Sequence, residues 1–351
     1  MSTKNVVLVA GVHGVSGNAA AIAWANTSDA TVYGLSRRDT YLPEGVKGIT
    51  VDLLDRHDVE RKLNGRGDIT HIVFAAYIEK ASAAERSKTN VAILKNLVEV
   101  VETVSPTLRH VTFYQGGKAY GSDLGPFKTP AREDDSRHFP PNLYFRHEDF
   151  VRSLEGDGIR WTALRPDIVI GHSLGSAMNL GNLIGLYGAL CRETGTAMQF
   201  PGTEQAYRGA LVNVTAAPLL GEAAVWAAEE ERDGAYNLTN GDVFRWRWMW
   251  GRIADWFGVE AAPFDGVVRP LEEQMADDAG LWREIAAREG LAEAELGRLA
   301  SPWHTDADLG RPIEVVTDMS KSRRLGFTSY QPTDDAFFAL FQRLRDGRLI
   351  P

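Results

Sequence analysis

Along the first half of the chain, short runs of consecutive apolar residues alternate with segments whose apolar residues recur every three or four positions. Val6-Val7-Leu8-Val9-Ala10 is the clearest run. It has a polar start and is ended by Gly11, which predicts a central parallel strand covered on both faces. The Ala-rich segment Asn18–Asn26 predicts a helix. Further strands are predicted at Thr31–Ser36, Gly48–Val51, Ile69–Ala76 and Arg109–Phe113. Between Ala81 and Val104 the residues Val91, Leu94, Leu97, Val98 and Val101 fall at helical spacing. Strands and helices in this rhythm mean βαβ units, hence a doubly wound parallel sheet of the Rossmann type with crossover helices on both faces. Trp161–Arg165 adds a strand that Pro166 ends, and Ile168-Val169-Ile170-Gly171 carries on from it.

Beyond Gly171 the rhythm breaks. Residues from about 173 to 199 read as apolar helix, while Ala210–Val214 and Ala235–Leu238 read as strands returning to the sheet. From Trp246 onward the segments look helical and loop-like. The expected division is a dinucleotide-binding α/β core over residues 1–171 and a smaller, mostly helical substrate lobe over 172–351. The lobe is interleaved with the core through strands near 209–215 and 235–239. Trp246, Trp248, Trp250 and Trp256 read as lobe packing rather than a ligand cage, and Phe337 and Phe338 read as helix packing.

Composition narrows the possibilities by exclusion. The 351 residues carry 38 Lys and Arg against 47 Asp and Glu, a net charge of −9, and no basic run. Nucleic acid is therefore a poor partner. The single cysteine, Cys191, forms no disulfide within the chain, which fits a reducing compartment. No stretch approaches the length of a membrane span, and the first apolar run is too short for a secretory signal. A cytoplasmic enzyme is the expectation. The eight histidines show no HExxH-like spacing, so no metal site is expected.

Candidate chemistry begins in the first turn. Gly11, Gly14 and Gly17 lie between strand and helix, where glycine permits a tight turn, close approach to a pyrophosphate, and close helix–strand packing. The spacing is GxxGxxG. His13 and Val15 of the same loop are expected at the cofactor too. Ser36, Arg37 and Arg38 end the second strand, where an acidic residue would bind the ribose 2′-hydroxyl of NAD. Arginines suit the 2′-phosphate of NADP instead, with a solvated surface pair as the other reading. Asp39 follows them and would favour NAD. Asp52, with Leu53, follows the third strand and suits the adenine amino group, or else caps the next helix. Ala75 and Ala76 end the fourth strand, where small residues let a cofactor lie against backbone.

The fifth strand runs into Tyr114-Gln115-Gly116-Gly117-Lys118-Ala119-Tyr120-Gly121, and Pro140-Pro141-Asn142-Leu143-Tyr144-Phe145 follows. Asn142 can cap a helix on which Tyr144 shares a face with Glu148 and Val151. Short-chain dehydrogenases place a lysine four residues after their catalytic tyrosine; here that position is Glu148. A phenol, with an ordinary pKa of about 10, needs a nearby cation to work at neutral pH. Lys118 supplies one from a different segment. Taken singly, Tyr144 reads as a packed ring and Lys118 as a surface lysine.

These pieces resemble, in order and over nearly the whole chain, the progesterone 5β-reductase/iridoid synthase-like branch of the short-chain dehydrogenase/reductase superfamily. The matching segments are Gly11–Asn18, Ser36-Arg37-Arg38, Gly117–Tyr120, Asn142–Phe145 with Glu148-Asp149, and Arg165-Pro166. They continue through Ser176–Leu180, Asn237–Trp246 and Ile350-Pro351. The resemblance implies that Lys118 and Tyr144 are the catalytic pair. It also implies that Tyr114, Gln115, Pro166 and Ile168 join the cofactor contacts and that NADPH is the cofactor. The implied reaction is 1,4-reduction of the C=C bond of a small enone or enal, with Tyr144 holding the enolate oxygen. Ala119, Phe145, Gln115-Gly116 and His13 depart from the family pattern, so the resemblance implies the chemistry rather than a steroid or iridoid substrate. Two alternatives stay open: a 1,2-carbonyl reductase on the same fold, and a non-catalytic NADP-binding sensor. Neither nucleic acid nor membrane is expected as a partner, and a homodimer is left open.

Overall fold

A computed structural model describes residues 4–38, 41–139, 142–175, 178–299 and 301–351. Asp39, Pro140, Pro141, Ser176 and Ala177, which figure in the sequence reading, lie outside the described residues. The chain divides into two compact units. The first comprises residues 1–166, 218–238 and 318–328, the second residues 167–217, 239–317 and 329–351.

The first unit is built on β1 (Asn5–Ala10), α1 (Val15–Ala25), β2 (Ala30–Ser36), β3 (Val46–Thr50), α2 (Arg56–Leu63), β4 (His71–Phe74), α3 (Ala83–Val104), β5 (His110–Tyr114), α4 (Leu143–Arg152) and β6 (Arg160–Arg165). These six strands and Gly234–Asn237 form a seven-stranded sheet in which each neighbouring pair is parallel. The spatial order runs outward from β1 in both directions, β3-β2-β1 on one side and β4-β5-β6 on the other. That reversal is the switch point at which Rossmann folds bind their ligands. Side chains alternate along β1. Val6, Leu8 and Ala10 pack with α2, α3 and Val151 of α4, while Val7 and Val9 pack with Ala20, Ala21 and Trp24 of α1. Burial on both faces explains the unbroken apolar run.

The second unit contains β7 (Ile168–Ile170), α5 (Leu180–Thr194) and β8 (Val214–Ala216), which leads into α6 (Ala217–Glu229). It also contains α7 (Trp246–Phe257) and a C-terminal helix at Thr333–Asp346. β8 pairs with β7 in a separate two-stranded parallel sheet. The segment near 209–215 therefore does not return to the main sheet as expected, whereas β9 (Gly234–Asn237) pairs with β6. The helix expected over 173–199 is shorter. Asn179 caps it by accepting from the Asn182 amide, and Gly195, at φ 67°, ends it. Trp246, Trp250, Phe337 and Phe341 are buried within this unit. Trp248 is half exposed under Arg252. No helix among the described residues is long and apolar enough to cross a membrane.

Two histidines in the main sheet make the fold acid-sensitive. His71 on β4 and His110 on β5 are in register, both buried, with ring centroids 6.2 Å apart. Burial, followed by the charges of His110 and Arg109, brings His71 from 6.5 down to about 3. Burial likewise takes His110 down to about 4. The folded values lie below the unfolded one. The stability these neutral rings preserve is complete above pH 6.5 and is lost as pH falls toward 4 and then 3. The melting temperature is expected to drop on acidification below that point, and His71→Asn to flatten the slope. An unchanged slope in the variant would remove His71 from this account.

Candidate active site

The glycine loop is shaped by contacts that admit no side chain. Gly11 has φ +79°, and a Cβ there would lie 2.7 Å from the Ala75 carbonyl carbon and 2.8 Å from Ala76 Cα. A Cβ at Gly17 would lie 2.2 Å from the Gly11 carbonyl oxygen. The ends of β1 and β4 and the start of α1 are thereby drawn together at the switch point. Helix α1 starts at Val15, earlier than expected, because Gly14 in extended conformation serves as its N-cap. No side chain caps it and its first turn carries no acidic residue, so its positive end favours an anion. Gly14 itself meets only the Gly11 carbonyl at 3.4 Å; its lack of a side chain is not demanded by packing.

His13 bonds to the Arg38 backbone, tying the loop to the end of β2. Burial, aided by the Arg38 charge, holds its pKa below the ordinary histidine value despite that bond. Arg37 and Arg38 are exposed, and among the described residues no carboxylate pairs with either. The Arg38 amide donates to Ser36 Oγ at 3.0 Å. Asp52 is exposed and its Oδ1 accepts from the Leu54 amide at 3.0 Å, while Leu53 is buried. The alternative role for Asp52 as helix cap falls to Asp55, which accepts from the His57 and Asp58 amides. These features fit a dinucleotide phosphate group: a backbone cradle with no room for a Cβ at Gly11 or Gly17, an uncapped helix start, and two guanidinium groups without an ion pair among the described residues. Gly17→Ala is expected to weaken NADPH binding by roughly 10- to 100-fold, the scale of an overpacking strain of about 1–3 kcal/mol. Fluorescence titration checks it, and wild-type affinity would contradict the cradle.

Past β5 the chain makes a short 3₁₀ turn, Gly117–Tyr120, on which Lys118 is exposed. No ion pair to Lys118 is found among the described residues. Asn142 caps α4 by accepting from the Phe145 amide at 3.1 Å, and its Nδ2 donates to the Lys118 carbonyl at 2.8 Å. His138 Nε2 lies 2.9 Å from the same carbonyl. One side chain thus clips the start of the Tyr144 helix to the Lys118 turn. Tyr144 is half-buried in the first turn of α4. A Cβ at Gly116 would lie 3.5 Å from its hydroxyl and 3.2 Å from the Pro166 carbonyl oxygen, so glycine keeps the approach to the phenol open.

Two expected cofactor contacts look different in three dimensions. Gln115 is buried and its whole amide is engaged inside the protein. Nε2 donates to the Tyr144 carbonyl at 3.0 Å and lies 3.4 Å from Glu148 Oε2, while Oε1 accepts from Arg165 Nε at 2.6 Å. Tyr114 packs into the core on the α1 face, where its buried hydroxyl has no hydrogen-bond partner among the described residues and burial pushes its pKa up. Pro166 and Ile168 are both buried, and Ile168 falls in the second unit.

Glu148, at the position where a lysine would be expected, is 4% exposed and surrounded by cations. Its Oε1 meets Arg137 at 3.1 Å and Arg152 at 2.9 Å; its Oε2 meets Arg165 at 3.2 Å. Burial pushes its pKa up, but the arginines outweigh that and hold it below the usual carboxylate value. Asn90 and His147 were not singled out from the sequence. Asn90, fully buried, exchanges hydrogen bonds with both the amide and the carbonyl of Ile78. His147, brought down to about 4 by burial, lies 3.1 Å from the Asn90 carbonyl. Together they tie α4 to α3 and to the loop after β4. An amide inside the apolar stripe of α3 is the signal that could have found Asn90.

Gly171-His172-Ser173-Leu174-Gly175 has the G-x-S-x-G spacing of a hydrolase elbow. Ser173 is buried, its Oγ accepts from Asn179 at 3.1 Å, and the next helix begins only at Leu180, so it is not one.

The profile of the PRISE-like Rossmann-fold domain matches residues 47–351. An (S)-8-oxocitronellyl enol synthase from Nepeta cataria is 30% identical over 99% of this chain and 94% of its own length. A 3-oxo-Δ4,5-steroid 5β-reductase from Arabidopsis thaliana is 29% identical over 100% of this chain and 94% of its own. Among solved structures, the UDP-glucose 4-epimerase of Thermus thermophilus shares the fold, with a TM-score of 0.66 and 17% identity over 97% of this chain and 99% of that one. By the profile match over most of its length, the chain belongs to the PRISE-like Rossmann-fold family and is an oxidoreductase.

Proposed function

We propose that this protein is an ene-reductase performing 1,4-reduction of small α,β-unsaturated ketones or aldehydes. The observation that carries the reading is the Asn142 clip, which joins the Lys118 turn to the first turn of the Tyr144 helix at the end of β5. The names of the relatives, an enol synthase and a steroid 5β-reductase, support it from outside.

The glycine cradle and Arg37-Arg38 would hold NADPH, which when bound would supply the hydride for the β-carbon of the substrate. As that C–H bond forms, the C=C pair shifts to between the α-carbon and the carbonyl carbon and the C=O pair moves onto oxygen, which carries the negative charge of the enolate. Tyr144 donates a hydrogen bond to that oxygen, and the Lys118 ammonium stabilises the charge directly or through the phenol. A donor placed where charge develops contributes about 3–4 kcal/mol to the transition state. The α-carbon takes its proton from water, and the product is the saturated carbonyl compound. The protein is read as working in the cytoplasm, with the second unit, residues 167–217, 239–317 and 329–351, as the lobe that selects the substrate.

NADPH oxidation with 2-cyclohexen-1-one, followed by product analysis, tests this. A saturated ketone is the expected product. An allylic alcohol would replace the reading with 1,2-reduction. NADPH binding without turnover of any enone or enal would favour a sensor.

A further inference from the structure

The other arginine of β6, Arg160, is exposed at the strand start, whereas Arg165, at the strand end, is buried and only 6% exposed. Each of its side-chain nitrogens is committed to a different segment. Nε donates to Gln115 Oε1 at 2.6 Å, Nη1 to the Tyr120 hydroxyl at 3.1 Å, and Nη2 to Glu148 Oε2 at 3.2 Å. Those segments are the ones that carry the proposed reactive pair. Gln115 holds the Tyr144 carbonyl. Tyr120 closes the turn that presents Lys118. Glu148 lies one helical turn beyond Tyr144 on α4.

We propose that Arg165 is the positioning residue that sets the geometry between Lys118 and Tyr144. The proposal rests on the reading of those two as the reactive pair. Three features support it. The guanidinium is a planar fork that serves three fixed directions at once, which an ammonium on a flexible stem does not. Its far anchor is firm: the centre of the guanidinium lies 5.1 Å from the Tyr120 ring centroid, and the Tyr120 hydroxyl donates to Asn237 Oδ1. Asn237 Nδ2 in turn donates to the Ala131 carbonyl at 2.9 Å and the Asp318 carbonyl at 3.0 Å.

Charge accounting supplies the third. An unpaired arginine behind the phenol would compete with Lys118 for a developing oxyanion. Arg165 Nη2 is paired with Glu148 Oε2 four residues past Tyr144, while the other Glu148 oxygen meets Arg137 and Arg152, and Arg137 pairs in turn with Asp149. Lys118 remains the exposed cation of the pair. The carboxylate at the expected lysine position is thus the counter-ion of a strut, and the missing lysine becomes intelligible.

The test is steady-state kinetics of Arg165→Lys with 2-cyclohexen-1-one, alongside NADPH titration and thermal unfolding. Lysine keeps a charge for Glu148 but not the three-way fork. Misplacing reactive groups by about 1 Å costs on the order of 10²-fold, so kcat is expected to fall by that factor. KM and the NADPH dissociation constant are expected to stay within about threefold, because substrate and cofactor binding are not what the strut supplies. The alkaline limb of the kcat–pH profile is expected to move, since the phenol and ammonium are no longer held in register. Tyr120→Phe removes a single hydroxyl and gives the same split if the lysine variant fails to fold. Retained kcat in the folded variants overturns the proposal. So does a fall in kcat matched by an equal loss of NADPH affinity, which would mean general disruption. If wild-type protein turns over no enone or enal, the proposed function fails. Crystal structures of the variants then decide the positioning claim alone: a Gly117–Tyr120 turn displaced from α4 supports it, and an unmoved turn overturns it.

Discussion

Replacing Tyr144 by phenylalanine is expected to leave NADPH binding within about threefold of wild type and to cut kcat for enone reduction by about 10²–10³. The ring stays in the first turn of α4, so packing and the Gln115 bond to the residue 144 carbonyl persist. The donor to the developing oxygen charge is lost. A hydrogen bond made mainly in the transition state shows in kcat rather than in ground-state affinity. Lys118→Met should act in the same direction. Both groups serve one oxygen, so the double variant should lose little more than the worse single one. Steady-state NADPH oxidation with matched fluorescence titrations checks all three. Undiminished turnover in Tyr144→Phe would remove the phenol from the chemistry and leave Lys118 without its partner.

The second large effect concerns cofactor choice. Arg37→Ala with Arg38→Ala is expected to weaken NADPH binding by roughly 10²-fold or more, from two charge-assisted contacts of about 1.5–3 kcal/mol each. NADH lacks the 2′-phosphate, so its affinity should change by less than about threefold. Both side chains are exposed and make no ion pair with a described residue, so removing them leaves no orphaned charge behind. The folded stability should therefore hold, and a thermal scan of the double variant separates recognition from damage. Equal losses for both cofactors would mean that the arginines do not read the phosphate. High salt should mimic the double variant in part, because the contacts are screened.

Much of the fold was legible because burial writes itself directly into parallel strands. Val6–Ala10 is covered on both faces, which a continuous apolar run satisfies; β4 and β6 are mostly apolar and buried as well, with His71, Thr162 and Arg165 as their buried polar members. Glycine loop and arginine pair stood out for a related reason, since each depends on a few neighbours along the chain. The pairing of β8 with β7 was not legible, because three small residues, Val214-Thr215-Ala216, suit any parallel neighbour. Nor was the buried role of Gln115. The resemblance placed it at the cofactor, but its partners Tyr144, Glu148 and Arg165 lie 29 to 50 residues away in sequence.

By itself the sequence determined the Rossmann core and the expected place of the dinucleotide, because local propensity, side-chain period and steric freedom at glycine act over a few residues. The two residues proposed to react stood out only through the family resemblance of their motifs. Only the tertiary structure decided how the segments of Lys118 and Tyr144 are held together: Asn142 clips them, and the Arg165 fork, paired with Glu148, braces them. Such a buried polar network is stable only when every member finds its partner, and those partners come from separate strands, turns and helices. The missing lysine was visible in the string of letters; what Glu148 does in its place was settled in three dimensions.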